Sequence, residues 1–136
     1  LKIPKEIKVL EEVCEEAKTK GNITANHLTR LSEAFGSRFT KAWENLKEKR
    51  VKKYVFNPSG RVVWIVVGRE REYQIIPEAG FCSCDDFYFR VMDRETHICY
   101  HLIAQKIVDA SGGYDKIEEE DRLYDCLMEE WKKVTP

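Results

Sequence analysis

Nowhere does the chain offer the roughly 20 consecutive apolar residues that a membrane-spanning helix requires, so a bilayer is not expected among its partners. Its opening, Leu1-Lys2-Ile3-Pro4-Lys5-Glu6, lacks the layout of a signal peptide, which points to an intracellular, cytoplasmic setting. No glycine-rich phosphate loop and no nucleophile motif occur, so an enzyme with a small-molecule substrate is not expected. Internal repeats and low-complexity tracts are absent as well. The five cysteines are an odd number, which suits a disulfide framework poorly and suits metal ligation or free thiols in a reducing compartment better. What is present describes a folded protein, with 43% apolar and 35% charged residues. A chain of 136 residues holds one ordinary domain or two very small ones. A piece of about 50 residues buries so little surface that it often needs a staple such as a metal.

Net charge is only -1, but it is unevenly spread. Ser37 to Arg61 carries eight Lys or Arg against two acids, a balance of +6. Leu102 to Pro136 carries five against nine, a balance of -4. The first stretch suits phosphate and the second would repel it.

Residues 5 to 19 have helical periodicity, with Ile7, Leu10, Val13, Cys14 and Ala17 on one face and Gly21 as a stop. Thr24 is placed to cap a second helix carrying Leu28, Leu31 and Phe35. Gly36 ends that helix, and Ser37 is placed to cap a third. Phe39, Ala42, Trp43 and Leu46 would form the third helix's core stripe. Strand-like runs at 51–56 and 62–67 flank a turn at Asn57 to Gly60. Residues 71 to 84 read as extended, and Phe87 to Val91 as a further strand. His101 to Ala110 reads as a helix ending at Ser111-Gly112-Gly113. A last helix is expected from about Asp115 to Val134, with Ile117, Tyr124, Leu127, Met128 and Trp131 on one side.

The most informative residues are Cys82-Ser83-Cys84 and, fourteen residues on, Cys99-Tyr100-His101. Three thiolates and an imidazole fill a tetrahedral zinc ion completely, leaving no position for water. One structural zinc, held by two ligands from an extended turn and two from a helix start, is therefore expected. The bland alternative, scattered core cysteines plus a surface histidine, does not account for two tight pairs. A Cys82–Cys84 disulfide would close too short a loop. His97 reads as a solvated loop residue, and Cys14 as a core thiol.

The stretch CSCDDFYFRVMDRETHICYHLIA resembles the SWIM zinc finger, whose pattern is C-x-C, a variable spacer, then C-x-H. The likeness covers Phe81 to Ile107. With its aromatic spacer and the Leu102-Ile103-Ala104 that follows His101, it looks most like the SWIM subunit of Shu-type complexes, which assist RecA-class recombinases. The resemblance implies zinc ligation by the four motif residues and a partner-contact role for Ala104. For Ala104, close helix packing is the alternative.

Three helices followed by a hairpin resemble a winged helix-turn-helix, in which the third helix enters the major groove and the hairpin touches the backbone. Arg38, Lys41, Lys47, Lys49, Arg50, Lys52, Lys53 and Arg61 would then supply phosphate contacts. Together these features lead to an α+β protein with a winged-helix-like domain over 1–68 and a SWIM-type zinc module with C-terminal helices over 69–136. Its expected function is zinc-supported nucleic-acid binding, with DNA as partner. The alternative is a recombination accessory that docks on a RecA-class ATPase through the SWIM helix and the acidic tail.

Overall fold

The computed structural model describes residues 3–92 and 97–132. Helix α1 (Lys5–Lys20) buries Leu10, Val13 and Ala17 and ends at Gly21, whose left-handed backbone lets its N–H reach the Ala17 carbonyl. Helix α2 (Ala25–Phe35) is capped reciprocally. Thr24 accepts from the His27 N–H, and the His27 ring accepts from the Thr24 N–H. The other ring nitrogen of His27 lies 3.1 Å from Glu16 on α1, so a buried histidine ties two helices together. Helix α3 (Ser37–Lys47) buries Phe39 and Ala42. Ser37 is its first helical residue rather than its cap, which falls to Gly36 without a side-chain hydrogen bond.

Strands β1 (Val51–Asn57), β2 (Arg61–Val67), β3 (Glu72–Ile76), β4 (Phe81–Cys82) and β5 (Asp115–Glu120) form one sheet in the order β4-β3-β2-β1-β5. All pairings are antiparallel except that of β5, which lies parallel to β1. Alternation sorts the side chains onto two faces. Val51, Trp64, Val66, Ile75 and Cys82 join the main core with helices α1 to α3 and α4 (Tyr100–Ser111). Phe56, Val63 and Ile65 point the other way, under Trp131 of α5 (Tyr124–Lys132). Seven side chains of α4 are buried, including His101 and Gln105, which marks it as the interior helix of the fold. No described helix is long and apolar enough to cross a membrane.

Mixed α+β structure is as expected, but several elements differ from the sequence reading. Phe87–Val91 is a wide helical turn, not a strand, because Tyr88 N–H bonds back to the Cys84 carbonyl and starts a helix there. The run from Asp115 is a strand before it is a helix. Asp-Lys-Ile-Glu-Glu-Glu has ordinary helix-forming residues, but the open side of β1 offers six register partners and a 2.7 Å Lys52–Asp115 contact, and tertiary pairing overrides a weak local preference. The helix end expected at Val134 lies outside the described residues. The three helices and the hairpin occur in the expected order, yet the hairpin is not a free wing, since β2 pairs with β3 and β1 with β5. The β2–β3 pairing also carries the sheet across the boundary expected at residue 68.

Candidate metal centre

The two ligand pairs arrive from different elements. Cys82 ends β4, where it faces Ile75 of β3 and points into the main core. Cys84 lies just beyond, at the start of the helical segment that continues through Phe87–Val91. Cys99 is the N-cap of α4, and His101 lies in that helix's first turn. All four are buried, at 1%, 3%, 0% and 4% exposure in chain order. Their ligand atoms lie within 4.8 Å of one another, and Cys82 Sγ is 3.7 Å from His101 Nδ1. Zinc bonds of about 2.3 Å to sulfur and 2.0–2.1 Å to nitrogen, arranged tetrahedrally, set neighbouring donors about 3.5–3.8 Å apart. A cluster of this size needs only a small contraction to hold such an ion.

Local chemistry also prepares the sulfurs. The Phe87 N–H donates to Cys84 Sγ at 3.3 Å, and the Leu102 N–H to Cys99 Sγ at 3.4 Å. Both sulfurs therefore sit at helix starts, where amide dipoles favour negative charge. Without an ion the thiols share their protons unequally. Hydrogen bonds from Cys82 and Cys99 hold Cys84 well below the ordinary thiol value. Bonds to Cys84 and Cys99, and then burial, hold Cys82 well above it. Cys99 is drawn down by Cys82 but pushed up more by Cys84 and burial, to about 12.

Aromatic rings fix the imidazole. Tyr73 of β3 stacks on His101 with centroids 4.7 Å apart, and the Tyr100 ring lies 4.2 Å away at a tilt. A charged clasp lies behind the cluster. Arg38 of α3 grips both carboxylate oxygens of Asp86, at 3.0 and 2.8 Å, and also donates to the Ile98 carbonyl. Asp86 in turn accepts the Tyr100 N–H at 3.4 Å.

Comparison with known proteins gives two relatives. An uncharacterized protein of Archaeoglobus fulgidus is 38% identical over 85 residues, which cover 62% of this chain and 66% of that protein. The zinc finger SWIM domain-containing protein 7 homolog of Dictyostelium discoideum is 28% identical over 118 residues, covering 85% of this chain and 75% of its own. This chain is thus similar to a protein named for a SWIM zinc finger. No protein-family model matches the chain, and no solved structure matches it.

The structure thus brings Cys82, Cys84, Cys99 and His101 together into one cluster that could hold a metal, and the relative's name suggests zinc. It does not gather the eight basic residues into a free surface. Arg38 is committed to Asp86, with 15% of its side chain exposed. Arg50 pairs with Glu48 and reaches the Val67 carbonyl. Lys52 pairs with Asp115, and Arg61 lies 3.9 Å from Asp121 and over the Tyr124 ring. Lys41 sits over Tyr100, and Lys53 between Trp64 and Tyr114. Lys47 and Lys49 remain exposed, with no ion pair among the described residues. Ala104 is fully buried in the main core, so its small size serves helix packing and it offers no surface to a partner. His97 pairs with Glu6 of α1 rather than joining the ligands. Sequence reasoning missed Asp86, Tyr73 and His27. Asp86, two residues past Cys84, was the one with a positional signal.

Proposed function

We propose that this chain is a binding protein of the SWIM type, held in shape by one structural zinc and acting as an accessory to a DNA-processing partner rather than as a catalyst. The observation that carries the metal part is the closed donor set. Four buried ligands account for the whole tetrahedral shell, so the ion would cross-link β4 to α4 and leave no position for a reacting water. Internal pairing of most of the basic stretch supports docking on a protein, in line with the resemblance to subunits that assist RecA-class ATPases. Direct DNA contact is the second reading, favoured by the exposed Lys47 and Lys49 at the end of α3.

One preparation tests both parts. Metal analysis should find one zinc per chain, and a chain that folds without metal would end the proposal. Mobility-shift titrations on duplex DNA across salt then separate the readings. Two phosphate contacts predict a slope of about -2 in log affinity against log salt. Duplex binding with a slope of that size that is lost on Lys47→Glu and Lys49→Glu would move the weight to DNA binding. Co-purification with a RecA-class ATPase and no measurable duplex affinity would keep it on docking.

A further inference from the structure

Fourteen residues separate Cys84 from Cys99, so the two ligand pairs must be brought together by something other than the local chain. The ion itself can do this, but only after both pairs are within reach. Asp86 belongs to the first half, two residues beyond Cys84. Ile98 and Tyr100 flank Cys99 and belong to the second. Arg38 bonds Asp86 through both terminal nitrogens and also donates to the Ile98 carbonyl, while Asp86 accepts the Tyr100 N–H. The clasp therefore spans both half-sites, and its arginine comes from α3, 48 residues before Asp86.

Resting on the zinc reading above, we infer that Arg38 is a positioning residue for the metal centre, which holds the two ligand pairs at the spacing the ion requires in the folded chain. A planar fork suits this task, because it fixes the carboxylate in plane and direction, which a lysine ammonium cannot do. Burial makes the arrangement all-or-none. The Arg38 and Asp86 side chains are 15% and 10% exposed, and Arg38 Nε is buried with no acceptor. The other cation near Asp86, Arg90, stands 3.9 Å away and is half exposed, so it does not replace the fork. Linkage works in both directions. If Arg38 favours the liganded spacing, an ion that locks that spacing also locks α3 onto α4.

The test is zinc affinity by competition with a chromophoric chelator, together with the ligand-field spectrum of the cobalt-substituted protein. Outer-shell partners of metal ligands typically change affinity 10–100-fold when removed, and Arg38→Met is expected to fall in that range. Arg38→Lys should lie between it and the parent, with cobalt bands shifted from the parent's. The double variant Arg38→Met with Asp86→Asn should be no weaker than the worse single variant, because the two groups act as a unit. Arg30→Met, which removes ion pairs between α2 and Glu12 and Glu16 of α1, should leave zinc affinity unchanged. Parental zinc affinity and parental cobalt bands in Arg38→Lys or Arg38→Met would overturn the inference. Absence of zinc from the parent protein would instead overturn the zinc reading. If Arg38→Met does not fold, the Arg38→Lys values alone decide.

Discussion

Removing the metal should unfold the chain as one unit rather than in two steps. Cys99 and His101 fix the first turn of α4, and that helix places seven buried side chains in the main core. Leu10 and Val13 of α1, Phe39 of α3 and Trp64 of β2 belong to the same cluster, so freeing the start of α4 loosens the N-terminal helices too. Structural zinc contributes about 10–16 kcal/mol of apparent binding free energy near neutral pH, whereas a domain of ordinary stability has about 5–15 kcal/mol in total. The metal-free chain should therefore be marginal or unfolded at 25 °C. The three tryptophans make convenient reporters, because Trp43 sits on α3, Trp64 on β2 and Trp131 on α5. Single-tryptophan variants titrated with a strong zinc chelator, followed by fluorescence and by far-ultraviolet dichroism, should give coincident transitions. Cys84→Ser should behave like the chelated parent. A Trp43 signal and helical dichroism that survive after Trp64 has changed would refute the reasoning and make residues 1–68 an independent domain.

Trp131 is 4% exposed and meets Tyr54 edge-on at 4.8 Å, so Trp131→Ala should cost about 3–5 kcal/mol in urea unfolding. A cost below about 1 kcal/mol would mean that α5 does not cover this face. Gly68→Ala should cost about 1–3 kcal/mol, since a Cβ there would lie 2.5 Å from the Tyr73 ring and 2.8 Å from the Arg71 carbonyl. Because Tyr73 stacks on His101, zinc affinity should fall with it, and an unchanged melting curve and affinity would count against the packing described. Zinc affinity should rise with pH. Mutual hydrogen bonding and burial raise Cys82 and Cys99 above the ordinary thiol value, and an ion binds thiolates, so binding must displace thiol protons. Chelator competition between pH 6 and 8 measures this, and an affinity independent of pH would contradict it.

The ligands were legible because metal chemistry is written in two short pairs, and no distant residue is needed to read them. Helices α1 to α3 were legible through apolar spacing and through Thr24 and Gly21, which act within a few residues of themselves. Strand β5 was not, because its identity depends on the open side of β1, sixty-three residues from Asp115 to Lys52. Arg38 shows the same difficulty in side-chain form. Its charge could be read from the sequence and suggested phosphate, but its partner Asp86 lies in another part of the chain. His27 hid for a different reason, since it fills a capping position where Glu or Gln is usual.

The order of the strands also limits how another protein can join this one. A sheet can be extended by an incoming strand only along an unpaired border. One border here is β4, just two residues long and ending in Cys82 of the candidate metal cluster. The other is β5, where Asp115, Glu118, Glu119 and Glu120 crowd four carboxylates onto six residues. Neither border offers a visiting backbone a long, neutral ladder. Strand addition at either border of the described sheet is therefore disfavoured, by shortness at β4 and by charge at β5.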